Sequence, residues 1–126
     1  MGMYRPFLFG GKKMVELTVN KSNEIKNIIR NFLDTQLGEK PEQVSCHLNN
    51  DMLAIYAYGI ISPAERAIMH LQNDKRTLLE YKIREFDMIK SDLLKMIKKS
   101  LGCDIDKIYT TITDDGIRII NIRLYN

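Results

Sequence analysis

The sequence predicts an α+β domain of two layers. Its order is α-β-β-α-α-β-β, with a four-stranded, mainly antiparallel sheet and helices on one face. Three observations carry this. Two stretches alternate apolar and polar residues about turn clusters and read as β-hairpins. A sharply defined helix start, Ser62-Pro63-Ala64-Glu65, stands between them. Three further segments repeat apolar residues every three to four positions, as amphipathic helices do.

The first helix is expected to be capped by Ser22. Ile25, Ile28, Ile29, Phe32, Leu33 and Leu37 then form one apolar stripe, Gly38 stops the helix and Pro41 follows. Val44, Cys46 and Leu48 alternate with Ser45, His47 and Asn49, which predicts a strand with one buried face. Asn49-Asn50-Asp51 is the turn. Leu53, Ile55 and Ala57 alternate with Met52, Ala54, Tyr56 and Tyr58; this strand is fairly apolar on both faces, as a central strand is. Gly59 ends it.

At Ser62 the hydroxyl can accept from the N–H three residues on. Pro63 gives up an N–H that would be unpaired in any case, and Glu65 can reach back to the N–H of Ser62. Ala64, Ala67, Ile68 and Leu71 are then expected to form the inner stripe. Gln72-Asn73-Asp74 is a weak helical stretch that breaks or bends the run. From Lys75 to Leu101 the apolar residues Leu79, Ile83, Phe86, Ile89, Leu93, Met96, Ile97 and Leu101 recur at helical spacing. Such a helix is roughly 40 Å long at 1.5 Å per residue. One small sheet does not cover that length, so another helix or a second subunit is expected against it. Gly102 stops it. Ile108, Thr110 and Ile112 alternate, Asp114-Asp115-Gly116 turns the chain, and residues 117 to 125 return with Ile120, Ile122 and Leu124 on one face. Ile117 and Ile119 lie on the other face and call for cover by a partner or by the N-terminal tail.

The chain of 126 residues is large enough for one ordinary core, expected over residues 14 to 126. Residues 1 to 13 are expected to be a flexible tail or an extension, with Met14 a candidate start and an extra packed strand the alternative. The net charge of +3 belongs to that tail: Arg5, Lys12 and Lys13 account for three of 19 basic residues, leaving 16 against 16 acidic ones. A neutral domain argues against nucleic acid as a partner, although Lys95, Lys98 and Lys99 enrich one end of the long helix. Those lysines also complement the helix dipole. Glu80–Arg84, Asp87–Lys90 and Asp92–Lys95 are spaced as solvated pairs on one helix face. No segment has the ~20 apolar residues that cross a bilayer.

Cys46 and Cys103 make no disulfide framework and no C-x-x-C motif, which suits reduced thiols in the cytoplasm. His47 and Cys46 point to opposite faces of their strand, so they cannot jointly hold a metal. No phosphate-binding glycine motif and no nucleophile set is present. No enzyme activity, metal or cofactor is therefore expected.

The order of these elements, with Gly38 to Pro41, Ile61-Ser62-Pro63-Ala64-Glu65, Arg84 with Phe86, and Leu101-Gly102, resembles the MpsC-like bacterial domain family over about residues 20 to 126. Two places depart from the family pattern. Glu39 and Lys40 stand where Arg-Gly precedes the proline, and Cys103 takes a usually basic place. The resemblance implies a non-enzymatic accessory or regulatory protein that works in the cytoplasm. Its expected place is at the inner face of the membrane, as a soluble partner of a cation- or bicarbonate-translocating system. A homodimer is expected from the surplus apolar surface of the long helix. The alternatives are a small-ligand sensor with a pocket between helices and sheet lined by Tyr56, Tyr58 and Arg84, and nucleic-acid binding through the lysines. Candidate ligand or partner contacts are Glu65, Arg66, Arg84, Tyr56 and Tyr58.

Overall fold

The computed structural model describes residues 7–9, 13–15, 17–72 and 74–124. The elements run β1 (Phe7–Phe9), β2 (Lys13–Val15), α1 (Val19–Leu37), β3 (Gln43–Asn49), β4 (Met52–Tyr58), α2 (Pro63–Gln72), α3 (Lys75–Leu101), β5 (Ile105–Ile112) and β6 (Arg118–Leu124). Strands β3 to β6 form one antiparallel sheet in the order β3-β4-β6-β5. The predicted α+β class and the four-stranded sheet therefore hold, and β4 is an inner strand. In the N-terminal segment, β1 and β2 pair with each other as a separate antiparallel ladder.

One face of the sheet meets the helices. Val44, Cys46 and Leu48 of β3, Leu53, Ile55 and Ala57 of β4, Ile120, Ile122 and Leu124 of β6, and Ile108 and Ile112 of β5 are buried in one cluster with Ile25, Ile29, Phe32 and Leu33 of α1 and Leu79, Phe86, Leu93 and Ile97 of α3. Phe32 meets Phe86 edge to face at 6.1 Å, so α1 and α3 lock through an aromatic pair as well as through aliphatic packing. Lys21 donates to the Ser100 carbonyl at 2.7 Å and the Ser100 hydroxyl to Glu24 at 2.6 Å, which ties the start of α1 to the end of α3. Much of the length of α3 that the sheet leaves uncovered is thus covered by α1. Lys90 donates to the Ile108 carbonyl at 3.1 Å and fixes α3 to β5.

Three local expectations are corrected. The cap of α1 is Thr18, whose hydroxyl accepts from the Lys21 N–H at 3.0 Å; Ser22 lies inside the first turn. The stripe Ala64, Ala67, Ile68 and Leu71 of α2 faces solvent, with Leu71 86% exposed, while Glu65 and Met69 turn inward. An ion pair made by Glu65, described below, sets that rotation in place of apolar burial. On α3, Glu80 pairs with Arg76 and leaves Arg84 without a salt bridge among the described residues; the Asp87–Lys90 pair forms at 3.4 Å. Lys98 reaches Asp104 beyond the helix end.

The β5–β6 connection packs on the segment that enters α2. Gly116 has φ +86°, and a Cβ built there would lie 2.7 Å from Cγ1 of Ile61. Both the left-handed backbone and the close approach select glycine. Gly116→Ala is expected to cost about 1–3 kcal/mol through overpacking and strain, measured as a lowered urea midpoint with an unchanged slope.

Candidate functional site

Four charged side chains from four parts of the chain meet: Glu39, Lys82 and Arg118 are buried and Glu65 is half-buried at the edge of the group. Arg118 opens β6 in phase with its buried residues and is 0% exposed. Its Nε and Nη2 donate to the two carboxylate oxygens of Glu39 at 2.9 and 2.8 Å, a bidentate pair with Glu39 only 2% exposed. Nη1 donates to the Thr110 hydroxyl at 3.1 Å, and Nη2 also donates to the Lys82 carbonyl at 3.3 Å. The guanidinium lies 5.3 Å from the Phe86 ring centre, within cation–π range. The Thr110 hydroxyl in turn donates a hydrogen bond to the Ile119 carbonyl at 2.9 Å.

Lys82 sits on the buried stripe of α3 between Leu79 and Phe86. Its ammonium reaches Glu39 at 3.2 Å and Glu65 at 2.9 Å. Two carboxylates against two cations leave the cluster neutral. Glu39 arrives there because α1 ends at Gly38, in the left-handed conformation with φ 65°, and the Glu39 N–H turns back to the Leu33 carbonyl at 2.9 Å.

Glu65 serves two purposes. One carboxylate oxygen accepts from the Ser62 N–H at 2.9 Å while the Ser62 hydroxyl accepts from the Glu65 N–H at 3.1 Å, the reciprocal cap expected from the sequence. The other oxygen holds Lys82. Burial alone pushes the Glu65 carboxyl upward, but the Ser62 N–H and the Lys82 ammonium outweigh it and hold it below the ordinary carboxylate value. Burial likewise pushes the Lys82 ammonium down, and the two carboxylates outweigh it, so it titrates above the ordinary lysine value.

An open cleft of about 860 Å³ lies beside this cluster. Its walls are the α1–β3 connection (Gly38, Lys40, Glu42), the β4–α2 connection (Gly59, Ile60, Ile61, Ser62) and α2 (Pro63, Arg66, Ala67, His70). The buried charges therefore hold two walls in place: Glu39 is next to Gly38 and Lys40, and Glu65 is next to Arg66.

Among the residues expected from sequence, Glu65 belongs to the buried cluster and Arg66 to the cleft. Tyr56 and Tyr58 stack on each other at 6.4 Å on the sheet face away from the helices, where Tyr56 also meets His47 edge to face. Arg84 is exposed on α3, on the other side of the sheet. The pocket expected from Tyr56, Tyr58 and Arg84 is thus not assembled, because the strand alternation that buries Ile55 and Ala57 turns both tyrosines outward. The burial of Glu39, Lys82 and Arg118 escaped the sequence reading. The available signal was a charge in phase with a buried stripe: Lys82 between Leu79 and Phe86, and Arg118 two residues before Ile120.

Cys46 is buried, and burial pushes its thiol up to about 12, well away from thiolate chemistry at neutral pH. Among the described residues no group of His, Cys, Asp and Glu is placed to hold a metal ion.

Glu39→Ala is expected to destabilise by about 3–5 kcal/mol, because it leaves Arg118 charged and buried with no carboxylate partner; Arg118→Met is expected to cost less, because Lys82 still pairs with Glu39. The double variant Glu39→Ala/Arg118→Met is expected to cost less than the sum of the two single changes in urea unfolding. The Glu65–Lys82 pair adds a pH signature. A lowered carboxylate stabilises the fold above its unfolded value near 4.5 and loses that contribution as pH falls through the folded value. A raised ammonium contributes below 10.5 and loses it as pH rises through its folded value. Glu65→Gln is therefore expected to flatten the acid limb of the unfolding midpoint against pH, relative to the native chain.

Comparison with curated proteins and with solved structures gave no match. A family model matches residues 18–125, from the Thr18 cap of α1 through the end of β6, and so takes in the whole sheet, the three helices, the buried cluster and the cleft. That family is described as the Na+-translocating membrane potential-generating system (MpsC), and the chain belongs to it.

Proposed function

We propose that this protein is a non-enzymatic accessory or regulatory component of a Na+-translocating, membrane potential-generating system, acting from the cytoplasmic side as a homodimer bound to a membrane subunit. Membership of the MpsC family supports the system. No helix among the described residues is long and apolar enough to cross a membrane, so contact with the bilayer-embedded machinery would run through a surface. The observation that carries the reading is apolar surface with nothing described upon it. On α2, Leu71 and Ile68 are exposed. On α3, Met88 is 78% exposed, and Tyr81 one heptad earlier and Met96 two turns later are exposed with it. Spacings of seven and eight residues place the three α3 side chains along one side of the helix, the geometry of a helix that meets a partner.

The reading divides into two tests. Light scattering of the full chain across micromolar concentrations is expected to give the mass of a dimer, and Tyr81→Asp with Met88→Asp that of a monomer. A monomer throughout removes the self-association. Affinity capture of the full chain from its own cells, with membrane and soluble fractions kept apart, is expected to retain a subunit of the Na+-translocating system. Leu71→Asp should lose that subunit at an unchanged melting temperature. Recovery of soluble proteins alone overturns the accessory role.

A further inference from the structure

We infer that the cleft between the α1–β3 connection, the β4–α2 connection and α2 binds a small organic anion, with a carboxylate or phosphate group on a short apolar body. Two cationic side chains and a histidine from two separate parts of the chain line it: Lys40 from the connection after α1, and Arg66 and His70 from α2. None of the three makes an ion pair or hydrogen bond among the described residues. This contrasts with the neighbouring buried cluster, where every charge is matched. The floor is apolar, with Ile60 and Ile61 buried beneath it. A volume of about 860 Å³ lies in the range of roughly 300–1,000 Å³ typical of small-molecule sites, which combine an apolar lining with a few polar groups.

The charge of the lining also limits the ligand. Lys40 and Arg66 against Glu42 leave one net positive charge, which suits a small anion better than a long polyanion. Arg66 can present two parallel N–H groups to a carboxylate or phosphate, while Lys40 offers a point charge from the α1–β3 connection. A ligand bridging Lys40 and Arg66 would join α2 to the body of the fold at a second point besides Glu65–Lys82. The inference does not rest on the membrane-partner reading, since it concerns the polar groups of Lys40, Arg66 and His70 in the cleft and a different class of ligand.

The test is an NMR titration of the full, 15N-labelled chain at constant ionic strength with n-butyl phosphate and butyrate, using inorganic phosphate and n-butanol as controls. At least one of the two organic anions is expected to shift the amides of residues 38–42 and 59–70 in a saturating manner and to bind more tightly than inorganic phosphate. Lys40→Ala/Arg66→Ala is expected to weaken binding about tenfold or more, the loss of a charge-assisted contact. Arg84→Ala, which removes an exposed cation elsewhere, is expected to leave binding unchanged. Three results would each overturn the inference: no saturating shift with either organic anion, shifts spread over the lysines of α3 and equal in the double variant, or equal affinity for inorganic phosphate.

Discussion

The bidentate pair between Arg118 and Glu39 is the contact on which the rest of this structure depends. It joins the end of α1 to the start of β6, and through the Lys82 ammonium and carbonyl it draws in α3. Taking two charges out of water costs several kcal/mol per ion, and attraction in the interior offsets this only where the remaining donors and acceptors are met. Here Thr110, the Lys82 carbonyl and the Phe86 face meet them. The gain is in specificity as much as in stability. An apolar core of Ile, Leu and Phe tolerates many packings, whereas a buried guanidinium accepts one arrangement of its neighbours.

Helix α2 stands at the opposite extreme. It turns its most apolar side chains to solvent and is held from within by Glu65 and Met69. A single carboxylate both starts this helix and fastens it, so the cap and the tertiary attachment cannot be separated by a change at that position. The result is one element with a well-defined beginning, a modest anchorage and two faces open to other molecules, a cleft on one side and an apolar surface on another. Elements of low local stability are where binding and regulation commonly reside.

Most of the architecture was legible in the chain because local signals agree with the fold. The Ser62–Glu65 box, the Gly38 and Gly102 stops, the stripe of α3 and the alternation of β3 to β6 are short-range patterns, and each element formed where its pattern lay. The rotation of α2 was not legible. Its apolar stripe was the best local guide, and a tertiary ion pair overrode it. Glu39 and Arg118 are 79 residues apart, and nothing in either neighbourhood announces the other. Glu39 reads as an ordinary solvated residue after a helix stop, and only the position of Arg118 in the alternation of β6 hints that its charge is buried. The cleft was not legible: Arg66 stood in the sequence reading only as a candidate contact, and the cleft is built where two connections and a helix converge, a meeting of which sequence spacing carries no record.

The strand order has a consequence for how the chain comes together. β4 lies between β3 and β6, so one of its edges is filled by its immediate neighbour and the other by a strand that is made only after α2 and α3. A chain emerging from the ribosome would carry the first hairpin with β4 unpaired on one side, apolar on the face meant for the helices and bearing Met52, Tyr56 and Tyr58 on the other. An open edge of that composition invites pairing with another nascent chain. The last hairpin therefore acts as the closure of the sheet. It converts the most association-prone strand into its best-protected one and brings Arg118 to Glu39 in the same step.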